Sequence, residues 1–287
     1  MSAFVTLYDL ALSILTAPAN GEIGELTRHH YGTHQQAEDV LRAAILQRQM
    51  PGENPGTPWG TLRVFMRNLV NGSYPAIDAD DMLGRLDRIE EAVQTFPERR
   101  DQLVASVTDS PRLSSSLAAF LDQHHAPGNA TDYIGWVTGR LAAYSALPVG
   151  DINPQVVLCD LHTMATNLQT KIPGMGIPYA ANFFADLGVR SVAKPDLHVK
   201  PTIEGLLGHR CSKPTCIAEV IELAQHEAPA IQASPRFAWL AGGLYPRDID
   251  RIIYLIGSDN FLLNGDKNKR LAPRRRGLML ATLQQEG

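Results

Sequence analysis

The chain has 287 residues, of which 44% are hydrophobic and 20% charged, and its formal net charge is −4. That is enough for one large or two small domains with a sizeable core, and the slight acidic balance excludes a uniformly basic coat while allowing a local basic face. No apolar run reaches the roughly 18–20 residues of a membrane span, no secretory segment opens the chain, and Cys159, Cys211 and Cys216 form no disulfide framework. The expectation is a reduced, intracellular, cytoplasmic protein, monomeric and free of membrane.

Residues 5–15 and 33–49 carry apolar residues at helical spacing, the second with Val40, Leu41, Ala44, Ile45 and Leu46 on one side. A Pro- and Gly-rich loop over 51–58 follows. Helical patterns resume over 59–70, closed by Asn71-Gly72, and over 80–95, where Met82, Leu83, Leu86, Ile89 and Val93 share a side. Two more helices are expected over 99–107 and 110–123, and another over 132–147 with Ile134, Trp136, Val137, Leu141 and Tyr144. Pro148-Val149-Gly150 breaks that one.

Asn153-Pro154 combines a capping side chain with proline at the first helical position and predicts a helix to about residue 170. A Pro-Gly-Met-Gly turn ends it, Pro178 opens the next helix and Gly188 closes it. Further helices are expected from Lys200-Pro201, from Lys213-Pro214 through about residue 225, from Ser234-Pro235, from Pro246, and over the tail 271–285. Val156-Val157-Leu158 is the best strand candidate, yet it lies inside a capped helix. The expected fold is all-α, with one lobe over residues 1–150, a second over 151–287, and C-terminal helices able to pack onto the first.

The chemistry concentrates between Lys171 and Pro201. Pro173, Gly174, Met175 and Gly176 form a tight turn between two helices, and glycine there permits positive φ and close backbone approach. Outward N–H groups and the helix N-terminus near Pro178 make a seat for a phosphate. A plain interhelical turn explains the same glycines. Asp196 follows between Pro195 and Leu197, just before His198. A carboxylate near a phosphate seat makes sense facing a cation, such as the oxocarbenium-like sugar that forms when an N-glycosidic bond breaks. Capping the helix that starts near Lys200 is the other reading.

The string Ile172-Pro173-Gly174-Met175-Gly176, then Ala180, then Pro195-Asp196-Leu197-His198-Val199-Lys200, resembles the helix-hairpin-helix DNA glycosylase superfamily. The match covers about thirty residues, and the rest agrees only in helical class. The resemblance implies a bilobed helical fold with double-stranded DNA in the cleft between lobes and the target nucleotide flipped out of the stack. It implies that Asp196 is the catalytic acid, that the backbone of Pro173, Gly174, Met175 and Gly176 grips a phosphate, and that K⁺ or Na⁺ can sit on hairpin carbonyls near Gly174 and Gly176. Lys200 stands near where many members place a phosphate-binding arginine. Strand-cutting members carry a lysine where this chain has Pro178, and proline cannot form a Schiff base. Lys171, before the hairpin, is not in that position. The four-cysteine iron–sulfur loop is missing, and Cys211 and Cys216 cannot supply it, so no cofactor is required.

Lys267, Lys269, Arg270, Arg274, Arg275 and Arg276 put six basic residues into ten positions, which suits a DNA backbone or a solvated loop equally. Lys194, Lys200, Arg210 and Lys213 can extend that face. Tyr179, Trp136 and His198 are the base-pocket candidates. Trp59, Tyr133 and Trp239 are further stacking candidates, although large aromatics at helical spacing are usually core. His29, His30 and His34, like His124 and His125, lack metal-ligand spacing, and Asp160 is a weaker second acid. The expected activity is a monofunctional DNA glycosylase acting on a repair lesion or on a hypermodified phage base, the latter a defence role. The alternative is a non-catalytic helix-hairpin-helix DNA-binding or scaffold protein that uses Asp196 only as a cap.

Overall fold

A computed structural model describes residues 2–27, 29–46, 101, 139–140, 143–144, 147–166, 176–186, 189–240, 242–258 and 272–285. Among the described residues the regular elements are helices, and none is a strand. They are α1 (Ala3–Thr16), α2 (His34–Leu46), α3 (Pro154–Thr166), α4 (Ile177–Asp186), α5 (Val199–Leu207), α6 (Lys213–Gln232), α7 (Pro246–Ser258) and α8 (Ala272–Gln285). The chain is all-α in this sense, and Val156-Val157-Leu158 is helical within α3. The helices expected over 59–70, 80–95 and 110–123 lie outside the described residues, as do all but a few residues of 99–107 and 132–147.

The chain divides into two compact units. One consists of Met1–Gln47, Pro148–Pro154 and Arg190–Gly287, and the other of Arg48–Leu147 and Gln155–Val189.

In the first unit α7 is the central helix, packed against α1, α2, α5, α6 and α8. Its apolar residues, Ile249, Ile252, Ile253, Leu255 and Ile256, share one face, and it is buried nearly all round because Asp248, Asp250 and Arg251 are buried as well. Each of the apolar side chains contributes about 1.5–3 kcal/mol by leaving water. The polar residues between them are buried as well and must find partners: Arg251 Nε donates to the Ala44 carbonyl of α2 at 2.9 Å. α1 is also apolar on most sides. Its first turn is closed from α6, where the buried Glu227 carboxylate accepts from the Ala3 N–H (2.6 Å), the Phe4 N–H (2.9 Å) and the Ser2 hydroxyl (2.7 Å).

Two boundaries differ from expectation. α6 runs to Gln232 and carries Pro229 inside it. The proline forfeits one helical hydrogen bond, but burial of Glu227, Ala228 and Ile231 around it keeps the helix going. Gln225 Nε2, where the helix was expected to end, instead donates to the carbonyls of Val149, Gly150 and Ile152. Ser234-Pro235 opens only a 3-10 turn, Pro235–Phe237. Its continuation meets Gly242 and Gly243, both at positive φ (77° and 98°), which a helix cannot accommodate.

In the second unit, α4 buries Ala180, Ala181, Phe184 and Ala185. Tyr144 stands edge-on to Phe184 and donates its hydroxyl to the buried Asp160 at 2.5 Å. Arg140 Nε lies 3.4 Å from the other Asp160 oxygen. Burial, and then the bond to Asp160, push the Tyr144 phenol well above its usual range. No helix among the described residues is long and apolar enough to cross a membrane.

Candidate active site around Asp196

Asp196 sits on the loop that leads into α5, in the first unit. Its Oδ1 accepts from the N–H groups of His198 (2.8 Å) and Val199 (2.9 Å), and its carbonyl accepts from Lys200 N–H at 3.2 Å. The carboxylate therefore does cap α5, taking up donors that the first helical turn leaves without partners. The side chain is only part-buried, and Oδ2 makes no hydrogen bond among the described residues. Leu197 beside it is 67% exposed, which alone has no functional meaning.

The loop is pinned to the start of α7 by two buried aspartates that carry no motif in the sequence. Asp248 Oδ2 accepts from Arg190 Nη2 (2.7 Å) and from the Tyr245 N–H (2.8 Å), closing the first turn of α7 on itself. Arg190 Nη2 also donates to the Gly243 carbonyl at 2.9 Å, its guanidinium lies 4.4 Å from the Tyr245 ring centroid, and its own carbonyl accepts from Arg247 N–H at 3.0 Å. Asp250 Oδ2 accepts from the Lys194 N–H (3.0 Å) and from Arg247 Nη1 (2.5 Å). Burial raises both carboxyls above their usual range, opposed at Asp248 chiefly by Arg190 and at Asp250 chiefly by Arg247. At Asp250 the nearby Asp196 charge pushes in the same direction as burial.

His198, expected in a base pocket, is a residue only 7% exposed, its ring edge-on to Tyr254 at 5.7 Å and against the backbone of Gly257. Lys200, expected on a phosphate, is paired with Glu204 one turn along α5, which raises the ammonium pKa and lowers that of the carboxyl. Glu204 also accepts the Cys211 N–H at 3.0 Å.

The hairpin residues Pro173, Gly174 and Met175, like Trp136, lie outside the described residues, and of Tyr179 only the backbone is described. Gly176 is exposed and not at positive φ, and a Cβ there would meet only Pro178 Cδ at 3.8 Å. The expected conformational need for glycine thus does not apply at Gly176. Its carbonyl, one of those assigned to a monovalent cation, accepts from Ala180 N–H at 3.0 Å. Pro178 occupies the second position of α4, where a missing N–H costs nothing.

The three described arginines of the basic run are separated by α8. Arg274 is exposed and 3.8 Å from Glu25. Arg276 is half-buried. Arg275 is fully buried at 0% exposure, donating from Nη1 to the Leu26 carbonyl at 2.5 Å. It lies on one stripe with Met279 and Leu283, so in this fold it supports the core rather than facing a DNA phosphate. Trp239 belongs to an aromatic cluster with Tyr8 and Phe237, and Arg42 stands over its ring. Asp160 is engaged with Tyr144 and Arg140. Among the described residues no group of three or more His, Cys, Asp or Glu is placed to hold a metal. No protein family, curated protein or solved structure matches the chain.

Proposed function

We propose that this protein is a monofunctional DNA glycosylase of the helix-hairpin-helix kind, which hydrolyses the N-glycosidic bond of a flipped-out damaged or modified base. The observation that carries the reading is the Asp196 carboxylate: the side chain is part-buried, Oδ1 is held by two backbone amides, and Oδ2 makes no hydrogen bond among the described residues. A carboxylate fixed at one oxygen and open at the other is preorganised to face positive charge as it develops on a deoxyribose. Pro178 at the hairpin's lysine position supports hydrolysis without strand cleavage. Double-stranded DNA is the partner, with Arg274 the best presented of the C-terminal arginines to reach its backbone.

The capping bonds specifically favour a second reading, in which the protein binds DNA without chemistry and Asp196 only ends a helix. Asp196→Asn separates the two, because asparagine caps as well as aspartate but carries no charge. Mass spectrometry of free bases released from a panel of damaged and phage-modified DNAs is the test. The proposal expects base release by the wild type and a loss of about a hundredfold or more in D196N. Equal base release by the two proteins defeats it.

A further inference from the structure

Asp250, near the start of α7, reaches the backbone that carries Asp196. Its Oδ2 accepts the Lys194 N–H at 3.0 Å, and the Lys194 carbonyl in turn accepts the Asp196 N–H at 2.8 Å. Two hydrogen bonds therefore connect an α7 side chain to the backbone of the candidate catalytic residue. Arg247 Nη1 on the same Asp250 oxygen restricts the rotamer. At 1% exposure, Asp250 offers water almost no access to compete for the Lys194 amide. Four residues earlier, Arg190 is fastened to Asp248, to the Gly243 carbonyl and to the Arg247 N–H. The segment thus has an anchor at each end, and the one adjoining Asp196 is Asp250.

We infer that Asp250 is a positioning residue: by holding the Lys194 amide it sets the turn that aims Asp196 Oδ2 at the sugar of a bound nucleotide. The inference rests on the glycosylase reading above. Asp250 touches no substrate and acts only through the Lys194–Asp196 turn. A buried acid serving stability alone would leave the aim of Asp196 unaffected, and this difference can be measured without knowing the target base.

The probes are two DNA duplexes, one carrying a neutral tetrahydrofuran abasic analogue and the other a cationic pyrrolidine analogue of the oxocarbenium sugar. The ratio of their Kd values reads the carboxylate's aim, and the wild type is expected to prefer the cation by about a hundredfold. Asp196→Asn should abolish that preference; an unchanged ratio in D196N overturns the glycosylase reading itself. Asp250→Asn, similar in size but offering Lys194 N–H and Arg247 a neutral amide oxygen in place of a charged one, should lower the ratio about fivefold while the neutral duplex binds within about twofold of wild type. Asp250→Ala, with no acceptor at all, should lower it further. If D196N loses the preference but folded D250N or D250A keeps the wild-type ratio, the positioning role is wrong and the glycosylase reading stands. Equal weakening on both duplexes marks a merely structural acid and overturns the inference too.

Discussion

Gly257 lies so close to the His198 imidazole that a methyl group on its Cα would stand 2.6 Å from Nδ1 and 2.9 Å from Cγ. The imidazole is buried and edge-on to Tyr254, so it has little room to yield. Gly205 on α5 looks equally tight, with Leu280 Cδ2 at 2.2 Å, but a leucine methyl can rotate away. Replacing a helical glycine by alanine gains up to about 1 kcal/mol of propensity, against about 1–3 kcal/mol for overpacking. G257A should therefore be destabilised and G205A near neutral, as read by urea denaturation. Equal midpoints for the two variants would contradict the packing.

Asp196 has two separable roles, and the choice of substitution separates them. D196A loses both the cap and the charge; D196N loses only the charge. D196A should be less stable than wild type by about 1 kcal/mol, with D196N close to wild type, while base release fails in both. Thermal melts alongside a base-release assay check the pair.

The adjacent arginines of α8 should behave in opposite ways. Arg274 is exposed, so R274A should leave stability unchanged, weaken DNA binding across sequences, and reduce the salt slope of binding by about one. Arg275 is buried on the Leu26 carbonyl, so R275A should cost about 2–3 kcal/mol of stability. Fluorescence anisotropy at several salt concentrations and chemical denaturation provide the two readouts. A stable R275A with reduced DNA affinity would place its guanidinium on the surface instead.

Burial holds the folded Asp250 carboxyl above its usual range, so the folded chain binds that proton more readily than the unfolded chain does. The contribution of Asp250 to stability is then fully present below about pH 4 and is lost as pH rises through the folded value. The amide of D250N does not titrate, so the stability of wild type relative to D250N should decline as pH rises above about 4. Denaturation curves of both proteins across that range test the sign.

Much of the helical layout was legible because proline and capping residues act locally. Pro154, Pro178, Pro214 and Pro246 each stand in the first two positions of a helix. The cap at Asp196 was legible for the same reason. Arg275 was misleading because a charged residue reads as exposed, although its four-residue spacing from Met279 and Leu283 places it on their buried stripe. Asp250 was not legible at all: the Lys194 amide that it holds lies 56 residues upstream, and a carboxylate on the polar side of an amphipathic helix reads as exposed. The Gln225 contacts were hidden likewise, since a side chain reaching 73 to 76 residues back leaves no periodic trace.

The bond between Glu227 and the first turn of α1 imposes an order on biosynthesis. Phe4 leaves the ribosome 223 residues before the carboxylate that receives its amide, a delay of roughly 10–45 s at ordinary translation speeds. During that interval, of the helices that pack on α1, only α2 has been made; α7 and α8 come later still. The unit formed by Arg48–Leu147 and Gln155–Val189 is complete before the first can close. A nascent chain stalled before residue 227 would leave α1 without its Glu227 cap and without the α7 and α8 surfaces that bury it, presenting Phe4, Leu7 and Ile14 to chaperones and proteases.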